Sequence, residues 1–227
     1  MIKYIALVLF IIMEINLLFV KKYDTLDLNV GPNTLPSPDI CGTRTVGQSF
    51  TVRRGGLARI DLMMGTHKKT LQGEMRFELW EDGPGGKKIA DKTIQASLIK
   101  DNLFFSVMFK PLGSSKTKRL FFVLSAPAAT PDNAACVWMN PENIYPSGEL
   151  RVDGRPSRGD LVFRLYSKRT EIAEIGRIAR SASGFLGHPL MFALILVAFT
   201  AGQIAVLWTL TEKVFPAPKE DRGATGD

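Results

Sequence analysis

The fold class is decided by residues 73–90, GEMRFELWEDGPGGKKIA. In its first half, apolar Met75, Phe77 and Leu79 alternate with charged residues, and the turn sequence EDGPGG follows. Alternation with a period of two places every second side chain on the same face of an extended strand. A strand with one apolar and one charged face is typical of an antiparallel sheet that covers a core on one side. This stretch therefore predicts a hairpin with one buried face.

The same pattern recurs on both sides of this hairpin, with turn signals between the strands. Leu103, Phe105, Val107 and Phe109 share one predicted face, as do the apolar positions of 161–165. Eight strand-like segments fit a mainly β fold, and we expect an antiparallel jelly-roll β-sandwich over residues 41–167. The segments are TVGQSFTV, GLARIDLMMG, GEMRFELWE, KKIADKTI, LFFSVMFK, KRLFFVLSA, ACVWMN and DLVFRLY.

The two ends of the chain are strongly apolar. Residues 4–20 are interrupted only by Glu14 and Asn16, and residues 189–210 carry no formal charge. Segments of this length are typical of transmembrane helices. We therefore expect an N-terminal anchor over 1–22 and a second span over 188–211. A cleaved signal peptide is the alternative for the first segment, although KKYDTLDLNV after it offers no small-residue cleavage site.

Three further segments complete the predicted organisation. Residues 23–40 are Pro-rich at their end and are interpreted as a linker. Residues 168–187 place Ile172, Ile175 and Ile178 on one helical face, which predicts an amphipathic helix at the membrane surface; a helix packed on the sandwich is the alternative. The mixed-charge, Pro/Gly-rich tail 212–227 is expected to be disordered and cytoplasmic.

Composition and motifs exclude several classes of function. The chain of 227 residues has a formal net charge of +7, with its cations scattered along predicted strands and turns. No nucleic-acid reader motif accompanies them, so a basic surface near anionic lipid or acidic polysaccharide is the better interpretation. The sequence carries no nucleophile elbow, zinc-protease motif, P-loop or dinucleotide fingerprint. We expect no enzymatic activity, no cofactor and no metal.

Polar and small residues in the apolar ends indicate helix pairing. Glu14 lies in the middle of the first predicted span, where an ionisable group usually has a purpose. Gln203 lies at a comparable depth in the second span, and Ala198 and Gly202 are small residues four apart that allow close helix approach. We expect Glu14 to pair with Gln203 or to dock a polytopic membrane protein; a protonated Glu14 that faces lipid near the interface is the alternative.

The two cysteines leave two alternatives open. Cys41 begins the predicted sandwich and Cys136 lies in a late strand. A disulfide between them would close a long loop and stabilise an exported domain. Two buried free thiols are the other possibility. Two cysteines are too few for a cysteine-based zinc site.

Three aromatic residues near predicted loop mouths are candidates for carbohydrate binding. Trp80 precedes the EDGPGG turn, Trp138 precedes MNPENIYP, and Tyr145 lies within that loop. A flat apolar ring can pack against a sugar ring, but aromatic residues in a sandwich more commonly fill the core.

The series GQSFTV, GLARIDLMMG, GEMRFELWEDGPGGKKIA, IKDNLFFSVMFKPL, KRLFFVLSAPAA and GDLVFRLY resembles one group of domains. It is similar to the jelly-roll ectodomains appended to bacterial membrane glycosyltransferases and related envelope-polysaccharide proteins. The resemblance covers roughly residues 46–166 and implies a fold and an envelope context. The chain lacks the many-helix catalytic portion of that group, so no catalytic residue carries over.

These observations predict a two-pass protein of the bacterial inner membrane with an extracytoplasmic sandwich. We expect a non-catalytic accessory subunit that supports a membrane enzyme or transporter of envelope polysaccharide or glycolipid assembly. A membrane-tethered carbohydrate-binding module without a stable partner is the alternative.

Overall fold

The computed structural model describes residues 2–52, 55–113, 118–181 and 189–214. The chain divides into two compact units. One unit is Asp24–Lys168, and the other comprises Met1–Tyr23 and Arg169–Asp227.

The first unit is built from β-strands joined by short turns. Their bounds are β1 Lys22–Val30, β2 Leu35–Pro36, β3 Thr45–Val52, β4 Leu57–Gly65, β5 Glu74–Glu81, β6 Lys88–Gln95, β7 Leu103–Met108, β8 Lys118–Ser125, β9 Cys136–Asn140, β10 Glu149–Val152, β11 Arg155–Ser157, β12 Asp160–Leu161 and β13 Phe163–Thr170.

The strands form two antiparallel sheets that share a core. The six-stranded sheet has the order β11-β10-β3-β8-β5-β6. The seven-stranded sheet has the order β1-β13-β4-β9-β12, with β2 paired to β9 and β7 paired to β4. The prediction of a mainly β, sandwich-like protein with antiparallel sheets is therefore confirmed.

Aromatic side chains from both sheets meet at the centre of the core. Phe50, Phe77 and Phe122 come from the six-stranded sheet and Phe163 from the seven-stranded sheet, and all four are fully buried. The Phe122 ring centroid lies 5.9 Å from that of Phe77 and 5.5 Å from that of Phe163. Rings at this separation add to the stabilisation that burial alone provides.

A buried polar bridge also joins the two sheets. Gln48 of β3 donates to the Asp160 carboxylate of β12 at 2.9 Å, and its carbonyl oxygen accepts the Leu161 amide at 3.1 Å. The second carboxylate oxygen of Asp160 accepts the Tyr145 amide at 2.8 Å. Because Gln48 and Asp160 are both fully buried, these bonds replace the water that each group loses on folding.

The eight strand-like segments of the sequence all contain strands, and the alternation in 73–81 and 161–165 correctly places the buried side chains. Of the 103–109 face, Val107 is buried and Phe105 partly buried, whereas Leu103 is 55% exposed. Leu103 lies at the end of β7, where the partner strand β4 is also ending.

The interpretation of residues 23–40 as a linker is wrong, because this segment contributes β1 and β2 to the seven-stranded sheet. Strand β1 lies at the edge of the sheet, with Val30 buried and most of its other side chains exposed. An edge strand with few buried positions carries little apolar alternation, so the pattern in the sequence is weak.

The described residues of the second unit form three helices. Helix α1 is Ile2–Ile15 and continues as a π-helical segment, Asn16–Val20; α2 is Glu171–Ser181 and α3 is Pro189–Val214. In the parts of the chain that the structure describes, no helix is both long and apolar enough to cross a membrane. The two predicted spans are therefore helical but not supported as transmembrane helices.

The amphipathic helix predicted over 168–187 begins later than expected. Residues 168–170 belong to β13, so α2 begins at Glu171. Arg177 donates to Glu174, and this hydrogen bond, with the neighbouring Arg169, lowers the pKa of the Glu174 carboxyl. Residues 182–187 of the predicted helix and 215–227 of the predicted tail lie outside the described residues.

Candidate functional site

A groove of about 310 Å³ lies on the outer face of the six-stranded sheet. The loop between β5 and β6 forms one rim, and three neighbouring strands, β3, β8 and β10, form the floor and the other walls. It is lined by Ser49, Asp82, Gly83, Pro84, Arg119, Leu120, Phe121, Glu149 and Arg151. We call this feature the sheet groove.

The strand register explains why these residues meet. Ser49 pairs with Glu149 of β10 on one side and with Phe121 of β8 on the other. Phe121 in turn pairs with Trp80 of β5. Directly opposed residues point to the same face of a sheet, so Glu149, Ser49, Phe121 and Trp80 form one row across four strands.

A glycine allows an aromatic ring to lie flat on this face. Gly47 precedes Ser49 on the same face of β3, and a Cβ atom there would lie 2.6 Å from Phe121 Cζ and 2.5 Å from the Phe122 carbonyl oxygen. Phe121 therefore covers the bare backbone of Gly47 and is only 3% exposed although it faces outward. The Arg151 guanidinium lies over its ring, 5.8 Å from the centroid.

Charged groups of both signs surround the ring. Arg151 donates to the Glu149 carboxylate at 3.0 Å, and Arg119 lies 3.9 Å from the same carboxylate. Arg119 also donates to the Ser49 hydroxyl at 3.2 Å. Asp82 projects from the rim with a positive φ of 62°. Two cations and two carboxylates around the groove suit a ligand with several hydrogen-bonding groups.

Trp80, one of the predicted carbohydrate-binding candidates, lies beside the sheet groove, and its role stays a prediction. The Lys88 ammonium lies 4.7 Å from the ring centroid. The Trp80 indole nitrogen is buried and has no hydrogen-bond partner among the described residues. This unpaired donor needs an acceptor, and a buried donor without one is costly.

An ion-pair network continues from Trp80 along β5 and β6. Lys88 bonds to Glu78 at 2.5 Å and to Asp91 at 3.2 Å. Arg76 bonds to the same Asp91 carboxylate, and this hydrogen bond is the main reason that the Asp91 pKa is well below its ordinary value. The network holds the outer face of these two strands in a fixed charge pattern.

The other two aromatic candidates lie elsewhere, so the three residues do not form one platform. Trp138 lies on the outer face of the seven-stranded sheet, where its indole nitrogen donates to Asn102 at 2.8 Å. The Tyr145 hydroxyl accepts the Thr51 amide at 3.1 Å, and the Tyr145 ring meets Phe163 edge-on at 6.3 Å. Tyr145 thus fixes the loop after β9 to the core.

The predicted disulfide is not formed, because Cys41 and Cys136 are both free thiols. Ile40 pairs with Ala135 in an antiparallel bridge. Cys41 and Cys136 therefore lie on opposite sides of this bridge, two positions or about 6.8 Å apart along the strands. With the spacing between strands added, their Cα atoms are farther apart than the roughly 7 Å that a disulfide can bridge.

Cys136 is buried and makes polar contacts of its own. Its thiol donates to the Gly65 carbonyl oxygen at 3.5 Å, and its sulfur lies 3.4 Å from His67 Nε2. Burial, assisted by the nearby Asp39 carboxylate, raises the pKa of this thiol to about 11. The side chain is therefore a protonated thiol near neutral pH.

Within the second unit, the structure places Glu14 in an apolar groove between α1 and α3. Val197, Thr200, Ala201 and Ile204 line the α3 side of this groove, and Gln203 is not among the lining residues. The predicted helix-packing pair Ala198 and Gly202 is instead exposed, and a Cβ at Gly202 would meet no described atom within 4 Å. The face of α3 toward α1 is thus about one residue away from the predicted face.

Sequence reasoning named Trp80, which lies beside the sheet groove, but not Ser49, Arg119, Glu149 or Arg151 of its lining. Ser49 and Arg119 lie on strands that were predicted, although the sequence analysis assigned no face to either residue. Glu149 and Arg151 lie on β10, a strand of four residues that the sequence did not reveal. Only the pairing of β10 with β3 brings them to Ser49.

Comparison with known proteins finds no matching family model and no curated relative.

Proposed function

We propose that this protein is a non-catalytic binding protein whose β-sandwich recognises a glycan in the sheet groove. The observation that supports this best is the groove itself, where Phe121 lies at the floor of a depression ringed by Arg119, Arg151, Glu149 and Asp82. Guanidinium and carboxylate groups form strong hydrogen bonds with hydroxyls. The partly exposed Trp80 ring at the margin of the groove favours the apolar face of a sugar ring.

The mixture of positive and negative side chains in the groove indicates the kind of glycan. Arg119 and Arg151 share the Glu149 carboxylate, so their charge is partly neutralised before any ligand binds. A ligand that carried several acidic groups would have to compete with Glu149 and approach Asp82. We therefore propose a neutral or weakly acidic oligosaccharide as the ligand class.

Glycan-array binding followed by calorimetry on the full-length chain tests this proposal. We expect Arg119→Ala and Asp82→Ala each to weaken binding about tenfold or more, which corresponds to about 1.4 kcal/mol. Arg155→Ala is the matched control, because Arg155 is an exposed arginine of the same sheet that does not line the sheet groove. Binding that is absent, or equally strong in all three variants, would contradict the proposal.

The wider role that we propose is an accessory subunit in envelope polysaccharide or glycolipid assembly at a bacterial inner membrane. Its support is the resemblance of residues 46–166 to glycosyltransferase ectodomains and the apolar sequences of 4–20 and 189–210. Consecutive strands that alternate between the two sheets, such as β3, β4 and β5, also favour a jelly-roll connection. In this proposal the apolar ends hold the chain in the membrane and the sandwich lies outside the cytoplasm.

One structural observation favours a docking role for α3. Its exposed residues Ala198 and Gly202 lie away from the groove that holds Glu14. Small residues four apart allow a second helix to approach closely. A polytopic partner that packs on this face would leave the contact between α1 and α3 unchanged.

Affinity purification from native membranes in mild detergent tests the accessory role. We expect a stoichiometric polytopic partner, which Gly202→Leu removes without loss of glycan binding. Gly113→Leu in the sandwich is the control for a large side chain at an open glycine. A chain that purifies alone would favour the tethered binding module instead. If alkaline carbonate extracts the protein from membranes, the proposal that its apolar ends are inserted in the membrane is contradicted.

A further inference from the structure

Three metal-binding side chains from distant parts of the sequence meet at one end of the seven-stranded sheet. Asp39 follows β2, His67 lies in the turn after β4, and Cys136 begins β9. One donor atom from each side chain, a carboxylate oxygen, an imidazole nitrogen and a thiol sulfur, lies within 4.8 Å of the other two.

The strand pairing explains how the cluster forms. The bridge between Ile40 and Ala135 places Asp39 directly opposite Cys136. Gly65 pairs with Cys136 at the end of β4, and His67 follows two residues later. A side chain at Gly65 would obstruct the cluster, because a Cβ atom there would lie 2.8 Å from the Cys136 sulfur.

The turn that carries His67 is held by another carboxylate. Asp101 Oδ1 accepts the amides of Thr66 at 2.6 Å and of His67 at 3.1 Å. His67 and Lys68 both adopt positive φ values, 50° and 60°, which residues other than glycine rarely do. These bonds fix the backbone in a conformation that directs the His67 ring toward Cys136.

The three donors are those that zinc prefers. Zinc binds sulfur at about 2.3 Å and imidazole nitrogen at about 2.0 Å in a tetrahedral arrangement, so two such ligands lie roughly 3.5 Å apart. The observed separation of His67 Nε2 and Cys136 Sγ is 3.4 Å. We propose that Asp39, His67 and Cys136 form a binding site for a zinc-like divalent cation, with the fourth position taken by water.

Cation binding at this site depends on the Cys136 thiol proton, on access from solution and on the neighbouring Lys69. The cation replaces the thiol proton of Cys136, which leaves to solvent, and the thiolate then binds the metal. His67 is exposed and Asp39 partly exposed, so the cation can enter from solution. The Lys69 ammonium lies 2.7 Å from Asp39 Oδ2 and opposes the cation by charge repulsion. A bound cation would tie the segment before β3, the turn after β4 and the start of β9 together.

Titration of the reduced full-length chain with Co²⁺ alone, read by absorption, tests the site. Thiolate-bound Co²⁺ gives a near-ultraviolet charge-transfer band, and we expect this band to saturate at one equivalent and to be displaced by Zn²⁺. His67→Gln and Cys136→Ser should abolish the band. Cys41→Ser is the matched control and should retain it, since Cys41 lies outside the cluster.

The Co²⁺ affinity of Lys69→Gln distinguishes a metal site from a cluster that only stabilises the fold. Removing this cation should tighten Co²⁺ binding several-fold, whereas a variant that only loosens the fold would weaken it. Because His67 is exposed, His67→Gln keeps the test valid even if Cys136→Ser fails to fold. A wild-type chain without the thiolate band, or a band that persists in His67→Gln, would overturn the proposal.

Discussion

At the scale of single residues, the sheet groove depends on positions where a side chain is absent. The Phe121 ring can lie against β3 only because Gly47 has no Cβ atom, with Phe121 Cζ 2.6 Å from where that atom would be. Phe121 lies on the outer face of β8, between the core residues Leu120 and Phe122, yet its ring is buried. Burial at this position is therefore decided by its neighbour on β3.

We expect Gly47→Ala to destabilise the protein by about 1–3 kcal/mol, the usual cost of adding a methyl group to a packed site. The added atom must displace either the Phe121 ring or the Phe122 carbonyl oxygen, both within 2.6 Å. Chemical denaturation measures the free energy of unfolding. Gly113→Ala is the control, since that Cβ meets no described atom within 4 Å, and equal stability of the two variants would contradict the packing argument.

The Asp91 carboxyl should titrate well below the ordinary value of about 4 for aspartate, because Arg76 and Lys88 stabilise its charged form. Folding lowers this pKa, so the contribution of Asp91 to stability is present above the unfolded-state value and is lost as the pH falls toward the folded-state value. A carboxyl-detected NMR titration measures the midpoint. Arg76→Gln should move that midpoint upward, and an unchanged midpoint would refute the assigned cause.

At the scale of secondary-structure elements, the two sheets are tied by a polar bridge as well as by apolar packing. Gln48 of β3 and Asp160 of β12 are both fully buried. The same Asp160 carboxylate holds the Tyr145 amide, and so positions the loop that leads to β10. The bridge thus supports the strand that carries Glu149 and Arg151.

Asp160→Asn should lower the free energy of unfolding by about 1–3 kcal/mol. The Asp160 carboxylate accepts hydrogen bonds from Gln48 and from the Tyr145 amide, and the NH₂ group of an asparagine would face one of these two donors. Thermal or denaturant unfolding measures the effect. Asp132→Asn, at an exposed aspartate, should change stability by no more than about 0.5 kcal/mol. Similar values for both variants would mean that the bridge adds no stability.

At the scale of the whole molecule, the sandwich unit is longer than the sequence pattern indicates. It extends from Asp24 to Lys168 rather than from 41 to 167. The additional residues include β1, which pairs with β13, and β2, which pairs with β9. These strands close one edge of the seven-stranded sheet.

A fragment of residues 24–168 should therefore fold cooperatively, whereas a fragment of residues 41–167 should have a melting temperature lower by about 5 °C or more. The shorter fragment loses the buried side chain of Val30 and the ladder between Leu35 and Met139. Circular dichroism during heating compares the two fragments. Equal melting temperatures would restore the interpretation of 23–40 as a linker.

The sequence by itself determined the elements whose local pattern is strong. Alternation over 74–81 predicted both the strand and its buried face, because one face of this strand contacts the core and the other faces solvent. Short or edge strands such as β1 and β10 bury few side chains, so their pattern is weak. Trp80 was the one residue beside the sheet groove that its type and position made recognisable.

Tertiary structure alone decided which distant residues meet. The register between β3, β8 and β10 brings Ser49, Phe121 and Glu149 into one row, and the bridge at Ile40 separates Cys41 from Cys136 while it brings Asp39 to Cys136. These pairings join segments about 70 to 100 residues apart in the chain. No local spacing encodes them, because they result from the packing of whole strands into sheets.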